Sequence, residues 1–181
     1  MQELKSARLY FRTLTEQDAT TAYVQWLNDP AVNRFMEVRH SQQNIETCQS
    51  FIRDCNDYPG CFLFGIFVGH EKTHIGNIKL GPIDRRYGSG QIGLFIGEQS
   101  CWGKGYASEA IAAITRFAFD EQGLSRLEAG CYEENLGSLR AFLKCGFSLE
   151  GFFRKKFISD DKRTGCFWLG ILKDEWTNDH L

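Results

Sequence analysis

Between Cys61 and Glu98 three strand-length apolar runs follow one another: "CFLFGIFVG", "HIGNIKLGPI" and "QIGLFIGE". Only short polar turns separate them, too short for the crossover that a parallel pair requires, so they fold back on one another as antiparallel neighbours. The first run is almost continuously apolar, which suits a central strand. The third leads into "SCWGKGYASEA", Ser100 to Ala110, where glycines stand at a strand-to-helix junction. Glycines at such a junction mark a tight turn or a close approach of backbone to something else. A helix N-terminus offers free N–H groups and a positive dipole end, so that something is often a phosphate. On this stretch alone, a plain strand-to-helix turn reads equally well.

The remaining segments sort by periodicity. "ARLYFRTLT" alternates and opens the chain's ordered part as a strand. "TEQDATTAYVQWLND" carries Ala19, Ala22, Tyr23, Trp26 and Leu27 at helical spacing, with Thr15 and Asp18 as an N-cap arrangement. Ser41 begins a second helix, with Ile45, Cys48, Phe51, Ile52 and Cys55 on one face, and "PAVNRFMEVRH" forms the loop between the two. From Gly105 runs the longest helix, its buried stripe made by Ala110, Ile111, Ile114, Phe117 and Ala118 and its end marked by Gly123. "SRLEAGCYEE" is a strand. "NLGSLRAFLKCGF" is a short helix capped by Asn135 and ended by Gly146. The segment "SLEGFFRKKFISDDKRTGCFWLGIL" is a hairpin turning at "SDDKRTG". Pro30, Pro59 and Pro82 each close an element. The order β-α-α-β-β-β-α-β-α-β-β makes a mixed α/β chain in one domain over residues 1–181.

Composition narrows the partners. Net charge is −2 and the pI is 6.1, without a basic surplus for nucleic acid or a polybasic run for an anionic membrane. No apolar stretch approaches the roughly 18 residues of a membrane span, and the first residues lack an apolar leader core, so a cytoplasmic protein is expected. The seven cysteines are odd in number and lack Cys-x-x-Cys spacing, so they read as small buried hydrophobes in a reducing compartment. His40, His70, His74 and His180 show no ligand spacing either, and no metal site is expected.

The turn "SCWGKG" resembles the pyrophosphate loop Gln/Arg-x-x-Gly-x-Gly/Ala of the GNAT family of acetyl-CoA-dependent N-acetyltransferases. "ENLGSLRAFLKCGFSLEG" is similar to the Asn-x-x-Ser…Lys-x-Gly-Phe-x-x-Glu-Gly segment of that family's RimJ/RimL-type branch. "RLYFRTLTEQDA" and "YVQWLNDPAVNRFM" fit the same branch. The resemblance covers nearly the whole chain. It implies a central, mixed, mostly antiparallel sheet of about seven strands flanked by about four helices, splayed between the fourth and fifth predicted strands. It implies acetyl-CoA as co-substrate, with the amides of Trp102, Gly103, Lys104, Gly105, Tyr106 and Ala107 on the pyrophosphate. Backbone groups of Leu94, Phe95 and Ile96 would then pair with the pantetheine arm as an added strand does. Asn135 resembles the family asparagine that contacts the cofactor arm, and it equally reads as a helix N-cap. Three positions depart from the pattern. Ser100 stands where the family has Gln or Arg. Phe142 replaces the tyrosine that protonates the departing thiolate in many members, which leaves Ser138 as the serine resembling the donor of RimL-like enzymes. Gln91 stands where relatives often carry a glutamate.

The reaction so implied is attack by a neutral amine on a thioester, which needs a base or a water chain to take the ammonium proton. The backbone amide near Ile96 would polarise the thioester carbonyl. Glu37, Glu98 and Glu134 are the candidate bases, each also readable as a surface carboxylate. Glu37, Arg39, His74, Asn77, Lys79 and Gln91 form the acceptor side. The acceptor is a protein N-terminus, as for ribosomal proteins, or an amino sugar, with small polyamines or antibiotics as further options; Arg39 and Lys79 would suit the diphosphate of a nucleotide-linked sugar. A non-catalytic acyl-CoA-binding module is the rival reading, drawn from the missing tyrosine and glutamate. No nucleic-acid or membrane partner is expected, and the chain would work as a monomer or homodimer. "GKG" lacks the third glycine of a dinucleotide fingerprint. Acetyl-CoA should therefore raise the melting temperature and NADH should not, because only a ligand of the folded state stabilises it. A shift with NADH alone, in a thermal-melt series, would reject the resemblance.

Overall fold

The computed structural model describes residues 2–159 and 162–177. In chain order they form β1 (Glu3–Lys5), β2 (Leu9–Thr13), α1 (Thr21–Asn28), α2 (Pro30–Asn33), α3 (Ile45–Asp57), β3 (Phe62–Val68), β4 (Thr73–Asp84) and β5 (Ser89–Ile96). There follow α4 (Tyr106–Arg116), β6 (Arg126–Tyr132), α5 (Leu136–Lys144), β7 (Ser148–Ser159) and β8 (Lys162–Leu172). One sheet takes the strands in the order β1-β2-β3-β4-β5-β6-β8-β7. Every neighbouring pair is antiparallel except β5 with β6. The mixed α/β architecture is the one expected.

β3 shows why its sequence is apolar throughout. Phe64 and Ile66 point to the face covered by α4, where they join Ile78, Ile111, Ile114 and Phe117. Leu63 and Phe67 point to the other face, where α1 and α3 supply Tyr23, Leu27, Cys48 and Ile52. A strand covered on both faces has no solvent side to alternate toward.

The parallel contact between β5 and β6 is short. It pairs Ser89 with Arg126, Gly90 with Leu127 and Gln91 with Glu128, and then stops. Beyond it, β5 keeps its ladder with β4 as far as Ile96 opposite Gly76, and β6 keeps its ladder with β8 as far as Tyr132 opposite Cys166. Each strand is thus satisfied on its outer side while the inner sides draw apart. This is the splay expected between the fourth and fifth predicted strands, here β5 and β6.

Several boundaries differ from the sequence reading. Eight strands form among the described residues, because Glu3–Lys5 adds itself to β2 at the sheet edge. Helices number five among them, because Pro30 opens a four-residue helix at its first position, with Asp29 accepting from the Ala31 N–H at 2.8 Å, instead of closing the preceding one. Thr15 and Asp18 cap only a separate 3-10 turn, Glu16–Asp18, and α1 starts later with Thr20 as its cap. α3 starts at Ile45 on an Asn44–Thr47 capping box, not at Ser41. β4 runs through Pro82 with its register shifted between Leu80 and Ile83. Asp160 and Asp161, in the turn read for the last hairpin, lie outside the described residues, as does His180.

Asp18 ties β2 to the start of the helical segment. Arg12 donates to both its carboxylate oxygens, at 2.6 and 2.7 Å, and the Thr15 N–H donates at 2.7 Å. Burial alone would raise the carboxyl pKa; the Arg12 and Thr15 bonds outweigh it and hold it at about 2, against an ordinary 3.8. A depressed folded-state value stabilises fully above the unfolded value and is lost as pH falls through the folded one. Asp18→Asn should therefore cost about 2 kcal/mol at neutral pH. The gap to wild type should close as pH falls from about 4 toward about 2. Urea unfolding at a series of pH values measures it, and a gap that does not change with pH would rule this account out.

Candidate active site

Two cavities flank the splay. A cleft of about 680 Å³ lies against the first turn of α4 and the start of α5. A second cavity, of about 480 Å³, lies between α1, α3, the carboxyl end of β6 and the amino-terminal half of β8. They share Phe35, Met36, Leu94, Phe95, Asn135 and Ser138, so one opens into the other between β5 and α5.

One wall of the cleft is the glycine turn that opens α4. Gly105 caps α4 in the left-handed conformation, φ +81°, without a side-chain acceptor for the helix's opening N–H groups. Gly103 has φ +72°, with open space where a Cβ would stand, so conformation and not crowding calls for glycine there. Trp102, Gly103, Gly105, Tyr106 and Ala107 line the cleft. Lys104 does not line it; its carbonyl instead accepts from Arg8 Nη1 at 2.9 Å. Arg8 also donates through Nε and its backbone N–H to Glu109, each at 2.7 Å, and Ser6 donates to the same carboxylate at 2.7 Å. Burial would raise the Glu109 pKa, but these bonds outweigh it and hold the group below its usual range. The sequence reading missed this clamp, whose two halves lie in separate segments.

On β5, the Gly97 N–H bonds to the Ile75 carbonyl. By antiparallel alternation the backbone of Phe95 then faces β4, while that of Leu94 and Ile96 faces the gap. Phe95 is thus not available for strand-like pairing there, contrary to expectation. The Ile96 carbonyl already accepts from Trp102 Nε1 at 2.7 Å.

Of the three carboxylates read as bases, only Glu37 lines the second cavity. Glu134 lines the cleft, and both its oxygens accept from Thr164 Oγ1, at 2.8 and 2.7 Å. Glu98 lines neither cavity: it caps a 3-10 turn by accepting from the Ser100 N–H at 3.1 Å, and its bonds to Ser100 lower its pKa. Gln91 also falls outside both, in a groove with Tyr58 and Glu128 near the amino end of β5.

Glu37 accepts a short bond from the Tyr132 hydroxyl. Burial, reinforced by Glu37, pushes that hydroxyl up to about 12, so it remains a donor. Arg39 was expected on the acceptor side but does not line the cavity. Its guanidinium donates to the Tyr132 hydroxyl at 2.9 Å and to the carbonyls of Ile158 and Met36, each at 2.8 Å, and so fastens the loop to β6 and β7. Tyr132 went unread because an aromatic at a strand end carries no pattern of its own. His74 does not line the cavity either; its Nε2 bonds to Asn77 Oδ1 at 2.7 Å, and burial lowers its pKa. Asn77 and Lys79 do line it. Asn135 fulfils its cap reading, accepting from the Ser138 N–H at 3.2 Å, while lining both cavities. Ser138 Oγ lies 3.4 Å from Cys131 Sγ. Phe142 is buried, at 2% exposure, edge-on to Phe147. Among the described residues no cluster of His, Cys, Asp or Glu could hold a metal ion, and no helix is long and apolar enough to cross a membrane.

Residues 8–148 match the family model described as an acetyltransferase (GNAT) domain. The chain is 27% identical over 179 residues to the uncharacterized N-acetyltransferase p20 of Bacillus licheniformis, covering 97% of this chain and 99% of that one. In fold it is similar to a putative ribosomal-protein-serine acetyltransferase from Vibrio cholerae, with TM-score 0.73 and 20% identity, over 94% of this chain and 97% of that one. It is similar also to the spermidine N-acetyltransferase of Vibrio cholerae, in complex with CoA and spermine, with TM-score 0.83 and 17% identity, over 94% and 98% of the two chains.

Gly105→Val forces a branched side chain into the left-handed region and should abolish the acetyl-CoA thermal shift while unfolding stays cooperative. Undiminished acetyl-CoA binding in this variant, by calorimetry, would show that the turn is not the phosphate site.

Proposed function

The chain belongs to the GNAT acetyltransferase family, and we propose that it moves the acetyl group of acetyl-CoA to a primary amine by direct attack in a ternary complex. One observation carries this reading: a cleft at the glycine turn that opens α4 and a cavity walled by aromatic rings meet at Leu94, Phe95, Asn135 and Ser138. Two reactants entering from opposite sides would have their reacting groups brought together there.

The residues present fit the co-substrate. The uncapped N–H groups around Gly103, Gly105 and Tyr106 suit a pyrophosphate. The gap-facing amides of Leu94 and Ile96 suit the amides of the pantetheine arm. When bound, acetyl-CoA supplies the electrophilic thioester carbonyl. Glu37 takes the ammonium proton of the acceptor, directly or through water, with Tyr132 and Arg39 holding its carboxylate in place. Ser138 borders both cavities and donates a proton to the leaving sulfur, the task that Phe142 cannot perform.

Among acceptors, a protein N-terminus gains over a nucleotide-linked amino sugar. The sugar reading leaned on Arg39 and Lys79 together, and Arg39 is bound up inside the fold. Release of free thiol from acetyl-CoA over a panel of amines tests the activity. Ser138→Ala should lower kcat roughly tenfold or more while leaving the KM for acetyl-CoA nearly unchanged. Unchanged turnover would hand the proton to water. Acetyl-CoA binding with no thiol release for any amine would favour the non-catalytic module.

A further inference from the structure

Glu37 is the only carboxylate among the described residues lining the second cavity, and Lys79 is the only cation. Aromatic rings make much of the wall, with Tyr23, Phe51, Phe157 and Trp168 among them. A polyamine brings several ammonium groups. Here they would meet one carboxylate, which already accepts from Tyr132 and lies 3.7 Å from Arg39 Nη1. Burying further ammonium groups without counter-charges is strongly unfavourable.

The polar groups on the β4 side are donors. Asn77 and Lys79 are two residues apart on β4 and so share a face. The Asn77 amide orientation follows from its neighbour. His74 Nε2 lies 3.0 Å from the Gly76 carbonyl and 2.7 Å from Asn77 Oδ1, so Nε2 carries the proton and Asn77 must offer it oxygen. That turns Asn77 Nδ2, on a residue 2% exposed, toward the Tyr23 hydroxyl, where its donation works against the rise that burial gives the Tyr23 pKa. Lys79 is then the donor on this side left for a ligand. Gly93 pairs with Lys79 in the β4–β5 register, and no atom lies within 4 Å of where its Cβ would stand, so the floor beside Lys79 is clear.

Resting on the acetyl-transfer reading, we infer that the acceptor is an α-amine on a large apolar side chain, next to a carboxylate or carbonyl oxygen that Lys79 receives. The aromatic wall takes the side chain, and Lys79 takes the oxygen. The amine is left for the junction of the two cavities, with Glu37 as its base. Either a free aromatic or aliphatic amino acid or the first residue of a peptide presents this chemistry.

Thiol release and calorimetric binding, measured with L-phenylalanine, a phenylalanine-first tripeptide, 2-phenylethylamine and spermidine, test the inference. Phenylalanine or the tripeptide should be acetylated, and which of the two is preferred identifies the source. 2-Phenylethylamine, which lacks only the carboxylate, should show a KM about tenfold higher or more. Lys79→Met should remove that difference by raising the KM of the carboxylate-bearing acceptor alone. Gly93→Val, which fills the floor from a strand conformation that valine tolerates, should raise the acceptor KM and spare that of acetyl-CoA. Preference for spermidine, equal use of 2-phenylethylamine, or absence of both binding and turnover with phenylalanine and the tripeptide would overturn the inference. Binding of phenylalanine that Lys79→Met abolishes, with no thiol release, would uphold the site and instead remove the acetyl-transfer reading.

Discussion

The early end of the β5–β6 ladder is the constraint on which the rest depends. Backbone N–H and C=O groups must be paired somewhere. Had β5 and β6 stayed in register to their ends, Leu94 and Ile96 would have bonded across the sheet and left a continuous surface with no cleft. Because each strand instead completes its pairing on the outer side, the sheet opens at one end without losing its ladders. The opening leaves backbone on one wall and lets the two cavities communicate. Gly76 helps: a Cβ there would overlap the Phe95 carbonyl, so only glycine lets the end of β5 lie so close to β4.

Features carried by local pattern were legible. The apolar run of β3, the antiparallel meander and the left-handed glycines at the turn are each signalled by neighbours in sequence. What eluded reading was decided by distant partners. Thr15 and Asp18 look alike whether they start a long helix or a single turn; Arg12 on β2 bonds the same aspartate from outside the segment. β1 is too short to show a period. Arg39 advertised a cation in the right loop, but its destination, the Ile158 carbonyl 119 residues away, is a matter of tertiary structure.

The same distinction separates the members of the site. Residue type told that Glu37 and Glu98 were alike capable of proton chemistry, and position separates them: Glu37 lines the second cavity, while Glu98 is spent on capping a turn. Tyr132 illustrates the reverse case. Its chemistry is ordinary, and it matters only because burial beside Glu37 keeps its proton in place.

The clamp between Arg8 and Glu109 has a bearing on how the molecule comes into being. Arg8 and Glu109 are 101 residues apart, and with the Lys104 carbonyl the clamp joins the segment before β2 to the first turn of α4 and the turn that precedes it. During synthesis Arg8 emerges first and must wait until α4 has left the ribosome, so this closure is a long-range contact of the kind that forms slowly. The turn itself needs only local conformation, but its lock arrives with the docking of the first strands. The turn is therefore locked only once the segment before β2 has docked on the first turn of α4.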